Sequence, residues 1–344
     1  MAFRTIIWIL VSLLFSANTL AQNIKIKANH PDQYTVVKGD TLWDISGHFL
    51  ENPWQWPNLW DNNPHIKNPH LIYPGNTLYF SIVDGKPRIS FSRNLDNSTL
   101  KPRIRESSIV KPIKLIPTDA ISQFLTSPKV VDKDTLDESP YVIDFAGEHL
   151  IVGAGDRVYV RSITEPTSMK YTIYRSGETY ISPVTKEILG YEAKFIADTS
   201  LEKAGDPATL AILKSSREIR RGDRIMVSAA NEVPLNFFPR PPKKPIHGNI
   251  ISVLDGVSQI GQYNVVVLDK GLVDGIKNGH TLNIFQKGRI VRDPFSDVKN
   301  ATVKLPDEMA GTLMVFRAFD RVSYALVLEA TQPIHVLDKI QTPM

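Results

Sequence analysis

The chain of 344 residues contains no cysteine. That excludes disulfides, thiol nucleophiles and cysteine-ligated zinc at one stroke. Lipid attachment through an N-terminal cysteine is excluded with them. The eight histidines (30, 48, 65, 70, 149, 247, 280 and 335) are scattered. Only His65 and His70 stand close together, without a third ligand, so no metal site is expected. No Gly-rich loop ends in Lys-Ser/Thr, so nothing cradles a nucleotide phosphate. The balance of 40 Lys and Arg against 36 Asp and Glu leaves only +4. No dense basic run with interleaved aromatics accompanies it, and a nucleic-acid partner is not expected. Beyond Phe15 no stretch is apolar enough to span a bilayer.

What is present starts at the N-terminus. Arg4 precedes the apolar run Ile6–Phe15, and small residues follow up to Ala21. The run is short for a membrane span and reads as a secretory signal over residues 1–21, cleaved after Ala21, with an uncleaved anchor as the alternative. The mature chain is therefore expected to be exported and soluble. Without disulfides it must rely on ordinary apolar cores, and its length suffices for two or three.

Two short segments carry the most specific signal. Tyr34-Thr-Val-Val-Lys-Gly39-Asp40-Thr41-Leu42-Trp43 reads as a strand, a Gly-Asp turn and a helix start, with Asp40 as the expected N-cap. Some thirty residues later, Leu71-Ile72-Tyr73-Pro74-Gly75-Asn76-Thr77-Leu78 reads as a Pro-Gly turn into a strand. Gly39 suits a tight backbone turn. The pair, in this order, resembles a LysM domain, a small βααβ module that binds N-acetylglucosamine-containing glycans such as peptidoglycan. The resemblance implies a glycan groove between two loops, at Gly39, Asp40, Thr41 and Leu42 on one side and Leu71, Ile72, Tyr73 and Pro74 on the other. It also matches Asn63 to a residue that closes the second helix. Between the halves, Phe49–Pro57 is bulkier and richer in proline than the usual spacer. Apart from Trp8, every tryptophan lies in this block, at 43, 54, 56 and 60. Trp43, Trp56 and Trp60 read as core, and Trp54 as either core or a stacking face for sugar.

The block spans residues 34–81. Residues 82–140 read as a linker rich in proline, serine and charge, with one short helix at Ala120–Leu125. Basic residues gather between Lys86 and Lys114, as a solvated linker or a strip for an acidic surface. From Tyr141 the pattern alternates with period two, predicting strands through 232. A proline-rich linker follows at 233–247, then a second strand-rich block at 248–344. The two blocks read as an internal repeat of small β-barrels or sandwiches. The segments matched are Gly155-Asp-Arg-Val with Gly279-His-Thr-Leu, Tyr174–Gly177 with Phe285–Gly288, Leu189-Gly190 with Ala310-Gly311, Ala208–Ile212 with Tyr324–Leu328, and Ile219–Ile225 with Ile334–Ile340. The fold class expected is α+β: a small βααβ domain, a linker and two mainly-β modules.

Catalytic signatures are weak. Glu106-Ser107 matches a transglycosylase dipeptide but sits in the basic linker. Gly256-Val-Ser258-Gln-Ile-Gly261 has one residue too many for a nucleophile elbow and lacks the strand–turn–helix context. A binding protein without catalytic residues or a cofactor is expected. The stretches Ile251–Tyr263, Leu305–Gly311 and Phe316–Ala325 resemble the C-terminal region of the type IV pilus secretin-associated (TsaP) family, which is itself similar to the flagellar-ring protein FlgT. That resemblance implies a periplasmic protein, with peptidoglycan at the LysM end, an outer-membrane secretin as partner of the β modules, and an oligomer around the secretin ring. The alternative is a general envelope adaptor that recruits or activates a wall hydrolase.

Overall fold

The computed structural model describes residues 24–61, 72–90, 116, 117, 121, 129–147, 152–163, 165–228, 238–254, 259–296, 298 and 300–343. The signal segment, Asn63, His65, His70, Leu71, Glu106-Ser107 and most of the basic strip and short linker helix lie outside them. The chain divides into two compact units, Met1–Ile113 and Lys114–Met344.

The first unit runs β1 (Gln33–Thr35), α1 (Leu42–Phe49), a 3-10 turn (Pro53–Gln55), α2 (Trp56–Asp61), β2 (Thr77–Val83) and β3 (Lys86–Ser90). Leu42, Ile45, Ser46 and Phe49 recur at helical spacing and form the buried face of α1. The sheet is antiparallel in the order β1-β2-β3, with Tyr34 opposite Leu78. Trp56, Leu59, Ile72, Leu78 and Ile89 complete the core. The third strand was not expected from the sequence, which assigns these residues to the linker. Asp84 and Gly85 make the turn, with φ of +52° and +71°. Two positive φ angles between paired Val83 and Lys86 are what a two-residue hairpin with a type I′ turn requires. Pro87 is tolerated because β3 is an edge strand.

The second unit begins with β4 (Lys129–Val131) and α3 (Lys133–Asp137), ahead of the predicted start of the strand pattern. There follow β5 (Tyr141–Phe145), β6 (Arg157–Arg161), β7 (Lys170–Ile181), β8 (Ile188–Lys203), β9 (Ala208–Ser215) and β10 (Arg224–Val227). Successive pairings run β5-β6-β9-β8-β7-β10 and return to β5, closing a six-stranded barrel with β4 added on β8. Val158, Val160, Ile173, Ile196, Leu210, Ile212 and Ile225 fill it.

The remaining strands are β11 (His247–Val253), β12 (Val265–Leu268), β13 (Thr281–Gln286), β14 (Ile290–Arg292), β15 (Thr302–Lys304), β16 (Glu308–Ala318), β17 (Ser323–Ala330) and β18 (Lys339–Gln341). They close a second barrel in the order β11-β12-β17-β16-β13-β18, with β14 and β15 forming a separate two-stranded ribbon. Taken strand by strand, the two circuits are identical, so the repeat is real at the level of topology. Ile250, Leu268, Leu282, Ile284, Leu313, Val315, Val327 and Ile340 form the second core.

One predicted match is a strand out of register. Gly153 N donates to Asp156 Oδ2 at 2.8 Å, and Gly261 N donates to Asn264 Oδ1 at 2.8 Å. In both places the third residue has positive φ, Gly155 at +95° and Tyr263 at +67°. The turn before β6 thus corresponds to the turn before β12, not to Gly279-His280 before β13. Gly190 and Gly311 lie on corresponding strands, but the pairings Ala197–Ser215 and Gly311–Ala330 align Gly311 with Ala197. The match of Ala208–Ile212 with Tyr324–Leu328 is one residue out of register, because Leu210 faces Val158 and Ala325 faces Val266, which aligns Ala208 with Ser323. The other two matches hold. The described end of the proline-rich segment is also no free linker. Pro239 and Pro242 are buried, and Arg240 exchanges backbone hydrogen bonds with Gly279 and Thr281 at 3.0 and 2.9 Å.

Candidate glycan-binding site

Two loops of the first unit, residues 36–41 and 72–76, are clipped together by backbone hydrogen bonds. Val36 N donates to Asn76 O at 2.9 Å, and Gly75 N donates to Val36 O at 2.8 Å. Each loop holds the same turn. In the first, Val37 N donates to Asp40 Oδ2 at 2.8 Å and Asp40 N to Val37 O at 3.2 Å. In the second, Tyr73 N donates to Asn76 Oδ1 at 2.9 Å and Asn76 N to Tyr73 O at 3.0 Å. Gly39 and Gly75 occupy the left-handed position of the two turns, at φ +106° and +89°. A Cβ placed on either would meet nothing within 4 Å. The paired loops therefore present open backbone, the kind of surface that amide-bearing sugars need, since each N-acetyl group offers one acceptor and one donor.

Asp40 does not cap the helix. Its Oδ2 accepts from Val37 N and, at 2.9 Å, from the Tyr34 hydroxyl. Burial and the Asp40 hydrogen bond push the Tyr34 pKa up to about 12, so it stays a donor. Tyr34 also stacks on His48 at 4.4 Å. The N-cap is Thr41, one residue later. Thr41 Oγ1 accepts from Asp44 N at 3.2 Å, and Thr41 N donates to Asp44 Oδ2 at 3.0 Å, a reciprocal capping box. Thr41→Ala is expected to destabilise the unit by about 1 kcal/mol, with recovery in Thr41→Ser, read as the thermal midpoint of the unit.

Seven of the eight predicted residues are described, and they separate into two groups. Gly39, Asp40, Tyr73 and Pro74 lie on the exposed or half-exposed rim. Thr41, Leu42 and Ile72 are buried and hold the loops from beneath. Leu71 falls outside the described residues. Trp54 is corrected to the core: it is 5% exposed and its ring faces are not offered to a sugar. Sequence reasoning missed Val37, an apolar side chain 58% exposed beside Gly39. The signal was the strand alternation itself, which turns Val36 inward and must turn Val37 out. It missed Asn76 as well, the partner of Asp40 in the paired turn.

Residues 34–81 match the LysM domain family. The chain is also 35% identical over 78 residues to the uncharacterized protein YqbP of Bacillus subtilis (strain 168), a match covering 18% of this chain and 36% of that protein. The likeness thus spans about a third of that relative's length. LysM domains bind peptidoglycan-type glycans and are binding modules rather than catalytic ones.

Proposed function

We propose that the chain is a non-enzymatic periplasmic tether, gripping peptidoglycan through its LysM domain and joining an outer-membrane secretin complex through its two β-barrels. The observation that carries the first half is the pair of clipped loops, whose open backbone lies in the region that matches LysM. The second half is supported by the resemblance of the C-terminal stretches to the TsaP family. Export is supported by the signal-like residues 1–21. One shallow groove gains only about 1 kcal/mol net per hydrogen bond. Firm anchoring then needs several chains on one assembly, where avidity adds factors on the order of 10²–10⁴.

The test is retention on insoluble sacculi. The full chain is expected to pellet and a fragment of residues 114–344 to stay in solution. Release of muropeptides from the sacculi would contradict the non-enzymatic reading. Affinity capture from an envelope extract is expected to retain a secretin. A wall amidase or transglycosylase in its place would support the adaptor alternative.

A further inference from the structure

The two barrels are joined by an arm, the outer half of the β7–β8 hairpin. Ser252 Oγ donates to Glu178 Oε2 at 2.8 Å. Arg321 donates to Glu187 Oε2 at 2.7 Å and to Ile188 O at 3.1 Å. Between these contacts Tyr180, 2% exposed, packs against Tyr324, 0% exposed. An acidic arm of the first barrel is thus received by an arginine and a hydroxyl on the second.

The second barrel has the equivalent arm, and within the described residues nothing receives it. Strand pairings fix the correspondence. Ile173 faces Ala197 and Ile284 faces Gly311, each followed by a bulge, which aligns Tyr174 with Phe285 and Gly177 with Gly288. Both glycines mark close crossings: a Cβ on Gly288 would lie 1.9 Å from Leu305 O, and one on Gly177 2.3 Å from Glu192 Oε2. Glu178 therefore corresponds to Arg289. The second arm carries Lys287, Arg289 and Arg292, with Ile290, Phe295 and Val298 exposed by 72%, 93% and 68%. No ion pair engages Lys287 or Arg289 among the described residues. So much exposed apolar surface on one projecting ribbon marks an interaction site.

The receiving positions correspond as well. Bulges after Val142 and Ile250 align Asp144 with Ser252. The starts of β9 and β17 align Asp206 with Arg321. Where the second barrel offers a hydroxyl and a cation to an acidic arm, the first barrel offers two carboxylates. The charge is inverted on both sides of the junction. Asp144 and Asp206 hold ion pairs with Arg221 and Arg161, each at 2.7 Å. These pairs lie at the surface and are worth little, so their carboxylates can accept a further cation.

We propose that the second arm docks on the first barrel of another copy of this chain, between Asp144 and Asp206, repeating between chains the junction that joins the barrels within one. Such a contact is heterologous, and it generates a ring if the rotation closes and a filament if it does not. It depends on neither glycan nor secretin, so it stands or falls apart from the tether reading.

The full chain is expected to self-associate in sedimentation velocity. Arg289→Glu should weaken association about tenfold or more by setting like charges together, and adding Asp144→Arg in the same chain should restore it. Because the chain has no cysteine, a short bis-maleimide can place the contact. A mixture of Arg289→Cys and Asp144→Cys chains should yield cross-linked heterodimer well above a mixture of Arg289→Cys with Lys38→Cys. A chain that stays monomeric, association indifferent to both charge changes, or cross-linking of the Arg289→Cys, Asp144→Cys double variant within one chain would overturn the proposal.

Discussion

Trp56→Ala is expected to abolish retention on sacculi without touching a residue of the proposed glycan loops. Trp56 is 1% exposed at the start of α2, among the largest fully buried side chains of the protein. Truncating such a ring costs about 3–5 kcal/mol, transfer and cavity together. A unit of this size is stable by roughly 0.05–0.15 kcal/mol per residue, or a few kcal/mol in all. The substitution therefore removes most of what holds the two loops in register. Calorimetry of the wild type should show separate transitions for the LysM unit and the barrels. In the variant, only the barrel transition should remain. If Trp56→Ala keeps both the transition and the wall binding, Trp56 is not a keystone of this core. A single concerted transition in the wild type would contradict independent folding of the two units.

The sequence made the LysM core legible because helical spacing and strand alternation report burial directly. It located both loop turns yet misjudged which residue caps α1. Asp40 and Thr41 are both good N-caps by residue type. What decides between them is Asp44, three residues after Thr41, which completes the capping box. The hairpin after β2 was legible too. Asp84-Gly85 after an apolar run is a strong turn signal, and it was masked by the proline and basic residues that follow. The repeat was readable where a glycine marks a backbone crossing, as at Gly177 and Gly288. It misled where the same turn recurs at different places in the barrel. That turn, with a side-chain acceptor at its fourth residue and positive φ at its third, precedes β2, β6, β10, β12, β13 and β18 and follows β1. Its third position is glycine in five copies but Tyr263 and Leu337 in two, so no single residue pattern reveals them all. Which strand a given turn serves is settled by long-range pairing, and that leaves little trace in local sequence.

His280→Asn is expected to flatten the pH dependence of barrel stability between pH 6.5 and pH 4.5. Of the copies of the recurrent turn, the one before β13 is the exception: its acceptor is Nδ1 of His280, which receives Lys277 N at 3.1 Å. The others use Asp40, Asn76, Asp156, Asp223, Asn264 and Asp338. A protonated imidazole has no lone pair for that bond. The ring is 6% exposed, and burial first, then the charges of Arg240 and Lys277, lower its pKa from 6.5 to about 4. The folded value lies below the unfolded one, so the unfolded chain binds the proton more readily. Stability is then fully present above pH 6.5 and is lost as pH falls toward 4. The linkage amounts to about 2–3 kcal/mol at pH 4.5. Asp307, whose pKa Lys339 and Gly288 N hold down to about 2, also destabilises on acidification, but only below the ordinary carboxylate range. The window above pH 4.5 therefore reports chiefly on His280. Asparagine supplies the acceptor that other copies of the turn already use, and it does not titrate. Urea denaturation of the wild type and the variant at pH 7.5 and 4.5 measures the difference. An equal loss of stability in both proteins would show that the His280 ring is not what acid attacks.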